Sequence, residues 1–425
     1  MRPQRDAIFL WLLIAIGVAL RLTDLLFPDF ATDEAQAALG ATAAWTPLGM
    51  QIMGLVQLLF GHEIIVARGV SVAFGIAFLP LLYALARHYR LREQEALLVT
   101  AIAAIFPSHI LFSRLAYLST QLLFGWTLTL FFFLKAREKQ DTLSLVSLFL
   151  ASVFVTLIKT QGLLLPLLLL LGTFVEQWRN WRKLKTKNYQ LITLSFVLLL
   201  SLIPVTLYIL THPGIAATVL LYEGNLYGTA HLLTRVTDLL STWWHMLSLF
   251  LLAMLFSLRM LPSFSWPLWI TLAWVSVHGL LLGPGNPYYT TELVLFALPI
   301  ALLLQRCTVT LRYATLSGLL ILTLLLLGPR AFFQSPLTLG PYAHEGYWNT
   351  HAARINEVLK GEEAVTVLGY PGHHLRWYLE PHLLLGRNMT PPYPTKFLLV
   401  PESKEPLPEG RVVYRDETMV VLAQR

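Results

Sequence analysis

The sequence predicts a mainly α protein: a polytopic bundle of transmembrane helices followed by a small α/β domain. Three observations carry that expectation. Of 425 residues, 56% are hydrophobic and only 13% charged, where a soluble domain carries about 25% charged. Apolar runs recur at the length that a hydrocarbon core of about 30 Å demands. The charged residues are also unevenly placed, with 35 in residues 1–329 and 20 in residues 330–425. The chain therefore divides near Gly328-Pro329-Arg330 into a long membrane part, 1–329, and a short water-soluble tail, 330–425. The same composition excludes a disordered chain, and a lone cysteine, Cys307, excludes a disulfide scaffold.

Spans are expected at about 8–26, 64–85, 96–113, 118–134, 142–158, 162–176, 191–210, 242–258, 266–282, 290–305 and 312–328, about 11 in all. The basic MRPQRD precedes the first without a small-residue cleavage site after it, so an uncleaved span is expected rather than a signal peptide. Orientation follows Lys and Arg. With the N-terminus cytoplasmic, 16 of the cations in the membrane part fall in inner segments. Only Arg21, Arg68, Arg114, Lys159 and Arg235 lie on or near the outer side. The protein is thus expected in the cell (inner or plasma) membrane, with its tail extracytoplasmic. The net charge of +7 reads as inside-anchoring, not as a nucleic-acid surface.

Two outer loops are long, about 27–63 and 211–241. The first opens a helix at Asp33-Glu34-Ala35-Gln36 and another at Pro47. The second carries the breakers Pro213-Gly214, Gly224-Asn225 and Gly228. In the tail, 347–360 reads as a helix and HHLRWYLE as a short one. EAVTVLGY, KFLLVPES, RVVYRD and TMVVLAQ read as strands.

Ionisable residues at the hydrocarbon boundary are costly and mark function. Asp33 and Glu34 stand just beyond the first span. They suit a helix N-cap, and equally a general base that takes a proton from an acceptor hydroxyl. Arg68 opens the second span, Arg114 ends the third and Lys159 follows the fifth, all at similar depth. Each alone could snorkel; three at one depth favour an anion site at lipid headgroup level. Arg21 reads as a snorkelling residue or a carboxylate partner. Tyr222, Glu223, His231 and Arg235 could close over a substrate or simply be solvated. Tyr288, Tyr289 and Glu292 fit an aromatic belt as well as a substrate contact. His373, His374 and His382 lack metal-ligand spacing, so no metal and no cofactor is expected. A phosphate-cradling Gly-x-x-x-x-Gly-Lys loop and a Gly-x-Ser-x-Gly elbow are both absent.

The order of these features resembles the GT-C fold polytopic glycosyltransferases, which include protein mannosyltransferases and the aminoarabinose transferases of lipid A. The matching string runs from Arg21 through Asp33-Glu34-Ala35, Thr46-Pro47-Leu48 and LVQLLFGHEIIVARGVSVAFG to LLYALARHYRL. It continues with Phe106-Pro107, Phe112-Ser113-Arg114 and Ile158-Lys159-Thr160-Gln161-Gly162-Leu163. The resemblance covers about 1–175, and more loosely PYYTTELVLFALPIALLL. It implies a polyprenyl-phosphate sugar as donor and an envelope lipid, glycan or protein as acceptor. Asp33 would be the general base, with Glu34 beside it, and Lys159 a ligand of the donor phosphate supported by Arg68 and Arg114. Single displacement would invert the anomeric carbon. Ser119 stands where such proteins often carry an acidic residue, Gln36 replaces a frequent aromatic, and a double proline is reduced to Pro47. The alternatives are a lipid or polyprenyl-glycan transporter, which would need charged pairs at mid-depth, and a non-catalytic glycan-binding relative.

Overall fold

The computed structural model describes residues 2–23, 25, 47–89, 91–180, 186–212, 266–276, 287–306, 310, 317, 347–360, 365–368, 383–386, 396–401, 407–415 and 419–424. The chain forms two compact units: Met1–Leu25 with Thr42–Thr338, and Leu26–Ala41 with Leu339–Arg425. The expected spans 242–258 and 312–328 and the second long loop lie outside the described residues, apart from isolated positions.

In the first unit, α1 (Arg2–Leu22), α2 (Pro47–Phe60), α3 (Ile64–His88) and α4 (Glu93–Ala104) are followed by the short α5 (Pro107–Arg114). Then come α6 (Ser119–Lys139), α7 (Thr142–Ile158), a 3-10 turn at Thr160–Leu163, α8 (Leu164–Asn180) and α9 (Thr186–Thr211). After these, α10 (Trp266–Ser276), a 3-10 segment at Pro287–Phe296 and α11 (Ala297–Arg306) complete the described helices of this unit. Among the described residues three helices are long and apolar enough to cross a membrane, with the bent α4–α5 pair as a fourth candidate.

The α6–α7 hairpin is tight for a local reason. Gln140 ends α6 in the left-handed region (φ 55°, ψ 20°), and the Asp141 carboxylate accepts the Ser144 backbone N–H at 2.7 Å, capping α7. The two helices then pack closely, because a Cβ at Gly125 would lie 2.9 Å from Val155. Trp126, Phe133, Leu79 and Leu82 are fully buried in the shared core. In the last turn of α6, Arg137 binds Glu176 of α8 at 2.6 Å, and the Trp266 indole N–H of α10 donates to the same carboxylate at 2.8 Å. Outward-facing residues are apolar instead: Leu58 of α2 is 82% exposed and Leu210 of α9 70%, as lipid-facing helices require. A groove of about 460 Å³ between α2 and α3 is lined by Ile52, Val56, Phe60, Val66, Gly69 and Phe74.

The expected span 96–113 is a broken helix, with α4 and α5 meeting at 57°. Pro107 supplies no N–H to the Ala103 carbonyl, and it holds Phe106 extended (φ −73°, ψ 118°). Likewise the expected span at 290–305 begins as the 3-10 segment before becoming α11.

In the second unit, α12 (Tyr347–Val358) precedes a five-stranded sheet. Its strands are β1 (Val365–Leu368), β2 (Leu383–Gly386), β3 (Phe397–Pro401), β4 (Arg411–Arg415) and β5 (Met419–Ala423), in the order β2-β1-β3-β5-β4. β1 pairs in parallel with β2 and β3, while β5 runs antiparallel to β3 and β4. Alternation along β3 serves two faces: Leu399 packs with Val365, Val421 and Ile355 of α12. Leu398 and Val400 pack with Val420 and Leu422 on the other. The sequence expects four of these strands and the helix; β2 is the addition, and the expected helix at HHLRWYLE lies outside the described residues.

Candidate functional site

The chemistry-bearing residues that are described cluster at one end of the first unit. That end collects the C-termini of α1, α5 and α7, the N-termini of α3 and α6 and the start of α2. Close contacts hold the ends together. A Cβ at Gly49, on the first turn of α2, would meet the Leu118 side chain at 2.9 Å and the Ile158 carbonyl at 3.0 Å. The start of α2 therefore wedges between the turn after Arg114 and the residue before Lys159. On α3, Ser71 donates its hydroxyl to the Tyr117 carbonyl at 3.0 Å, and Gly75 lies against Ser113, whose Cβ would be 2.8 Å from an added methyl.

Arg68 is fully buried one turn before Ser71, and its Nη1 donates to the Leu25 carbonyl at 2.9 Å just beyond α1. Arg114 is the last residue of α5 and 5% exposed. Lys159 is extended (φ −157°, ψ 150°) between α7 and the 3-10 turn, and the Gly162 N–H donates to its carbonyl at 2.7 Å. Three cations from three separate elements thus stand at the same end of the bundle. Shortly after Arg114 in the chain, the N-terminus of α6 presents Ser119, Thr120 and Gln121, all buried. The amide of Gln121 finds no hydrogen-bond partner among the described residues. The 3-10 segment that carries Tyr288, Tyr289 and Glu292 packs on α5 and α6, with Thr291 and Glu292 fully buried.

Asp33, Glu34, Tyr222, Glu223, His231 and Arg235 lie outside the described residues, as do His373, His374 and His382. Arg21 departs from expectation. It neither snorkels nor meets a carboxylate among the described residues, but is fully buried. Its Nη1 donates to the Gly17 carbonyl at 2.8 Å and the Ala104 carbonyl at 3.3 Å. Its Nη2 reaches His109 Nδ1 at 2.7 Å. The cause is the break at Pro107, which leaves the end of α4 with carbonyls that need donors. His109, which sequence reasoning passed over, is likewise fully buried; its place two residues after Pro107 is the one local signal.

Fold and site geometry define a class, a helical membrane protein with a cationic end and a small appended α/β unit. Comparison with known proteins narrows it. Residues 50–222 match the family described as dolichyl-phosphate-mannose-protein mannosyltransferase. No curated protein sequence matches the chain. Among solved structures, ArnT from Cupriavidus metallidurans bound to undecaprenyl phosphate is similar with a TM-score of 0.65 and 15% identity, over 100% of this chain and 98% of that one. The apo form of that ArnT gives a TM-score of 0.60 at 15% identity, covering 97% of each chain. The chain thus has an ArnT-like GT-C fold.

Proposed function

We propose that the protein is a glycosyltransferase that moves a sugar from a polyprenyl-phosphate donor to a hydroxyl of an envelope lipid, glycan or protein. The reading places about 11 spans in the cell membrane, the N-terminus in the cytoplasm and the tail outside, so that transfer occurs at the outer face. The observation that supports it most is the gathering of Arg68, Arg114 and Lys159 at one end of a fold shared, over its full length, with an ArnT solved with undecaprenyl phosphate bound.

The chemistry asks for little more. The sugar leaves from a phosphate, which is stable as an anion, so no strong general acid is required. Lys159, backed by Arg114 and Arg68, holds the departing charge where lipid and protein lower the dielectric. Asp33, with Glu34 beside it in the sequence, takes the proton from the acceptor hydroxyl. Attack opposite the phosphate inverts the anomeric carbon. Tyr222, Glu223, Arg235, Tyr288 and Tyr289 contribute the substrate-facing loops.

The test is mass spectrometry of lipid-linked sugars and surface glycans in a deletion strain, complemented with wild type, Asp33→Asn or Lys159→Ala. The expected result is accumulation of a polyprenyl-phosphate sugar and loss of one surface sugar, reversed by wild type alone. Full complementation by Asp33→Asn sinks the catalytic assignment, and unchanged lipid-linked sugars sink the transferase reading.

A further inference from the structure

Arg21 and His109 are fully buried, 88 residues apart in sequence, and bonded at 2.7 Å. A guanidinium donates and never accepts, so His109 Nδ1 is the acceptor and the ring proton sits on Nε2. That tautomer leaves the Nδ1 lone pair to accept from Arg21. The Phe78 ring meets the imidazole edge-on, with centroids 4.8 Å apart, and fixes its plane. The same guanidinium donates to the carbonyl of Ala104, the last residue of α4. One side chain of α1 therefore holds both sides of the break, the end of α4 and the first turns of α5.

The remaining contacts of α5 complete the restraint. The Ser113 hydroxyl donates back to the His109 carbonyl at 2.5 Å, and Ser113 itself sits against Gly75 of α3. An added Cβ at Gly75 would also stand 3.3 Å from Arg21 Nε, so α1, α3 and α5 meet at one point. Arg114 follows His109 by five residues, about 7.5 Å along a continuous helix. The direction of α5 then decides where the Arg114 guanidinium stands.

We propose that Arg21 and His109 form a clamp that fixes the bend between α4 and α5 and thereby positions Arg114. The bend is read from this chain alone, while the use made of Arg114 rests on the transferase reading above. Arg21 and His109 are positioning residues and touch no substrate.

The test compares wild type, Arg21→Lys, His109→Leu and His109→Asn in lipid nanodiscs. Amide hydrogen exchange over 105–114 reads the bend, exchange over 142–158 serves as internal control, and the Kd for undecaprenyl phosphate reads the placement of Arg114. The amide oxygen of Asn stands in for Nδ1, so His109→Asn keeps the Arg21 bond, whereas His109→Leu loses it. His109→Leu and Arg21→Lys are expected to speed exchange over 105–114 at least about tenfold and to weaken undecaprenyl phosphate about tenfold, with 142–158 unchanged. His109→Asn stays within about twofold of wild type on both readouts. Unchanged exchange in His109→Leu overturns the proposal, as does equal damage by His109→Asn, or faster exchange with unaltered affinity. A wild type that fails to bind undecaprenyl phosphate overturns the transferase reading instead, and the exchange comparison still decides the clamp.

Discussion

Replacing Gly162 by alanine should damage the protein out of proportion to one methyl group. The new Cβ would overlap the Val155 carbonyl oxygen and stand 2.7 Å from its carbon, with Leu122 Cδ1 at 3.3 Å. A rotamer change relieves a clash with a side chain, but here the obstacle is the backbone of α7. The whole 3-10 turn must move instead, and it is tied to Lys159 by the Gly162 N–H. Overpacking costs about 1–3 kcal/mol, and a rigid partner puts this case near the top, at about 3 kcal/mol. At about 2–4 °C per kcal/mol for a domain somewhat smaller than this one, Tm should fall by about 6–12 °C. The matched control is Gly69→Ala. No atom lies within 4 Å of its added Cβ, which points into the apolar groove. Alanine is favoured over glycine inside a helix by about 1 kcal/mol, so Tm should hold or rise slightly. Both variants are melted in the same detergent, and binding of undecaprenyl phosphate is measured beside them, with about tenfold weakening expected for Gly162→Ala alone. Equal melting of the two variants would refute the reasoning, because the backbone contact would then carry no weight.

Three further outcomes follow from packing and capping. Trp126→Ala removes a fully buried ring that meets Trp274 edge-on at 6.3 Å, and should cost about 3–5 kcal/mol, read as the largest Tm loss among single core variants. Glu176→Ala strips acceptors from both Arg137 and Trp266, and should cost about 2 kcal/mol. Its double mutant with Arg137→Leu should cost less than the two singles added together. Asp141 is held below the usual carboxylate range by the Ser144 N–H, so its cap contributes above the ordinary pKa of about 4 and fades as pH falls through the lowered folded value. The Tm advantage of wild type over Asp141→Asn should therefore be present at pH 6 and shrink on acidification toward pH 3. A gap that widens in acid would contradict that sign.

Composition and the lengths of the apolar runs made much of the architecture legible, for identifiable reasons. The expected span 142–158 coincides with α7 because Asp141 caps one end and Lys159 closes the other, and both are local signals. The expected run 64–85 is α3, extended to His88 by Arg87 and His88 in its last turn. That Arg68, Arg114 and Lys159 fall at one end of the bundle was legible too, since it follows from their positions along the helices. That Gly49 wedges between the Arg114 turn and Ile158 was not, because such a contact belongs to the tertiary structure. The strand β2 is four residues without a polar–apolar alternation, so no periodicity could reveal it.

The break at Pro107 shows where local reading stops. Pro80 lies inside α3 and Pro204 inside α9, and both helices run on, so a proline in an apolar run does not by itself say that the run ends. At Pro107 the chain turns through 57°, and the carbonyl at the end of α4 is met by a donor from α1, 83 residues earlier. Arg21 makes the broken form tolerable inside the bundle, where an unpaired carbonyl would cost several kcal/mol. Arg21 and Pro107 are thus two halves of one feature. Arg21 looked like a snorkelling residue because its partners, the Ala104 carbonyl and His109, exist as partners only after Pro107 has bent the chain. The consequence runs through to the proposed site: the bend turns α5, α5 carries Arg114, and under the clamp proposal a fully buried arginine sets the direction in which the proposed phosphate ligand points.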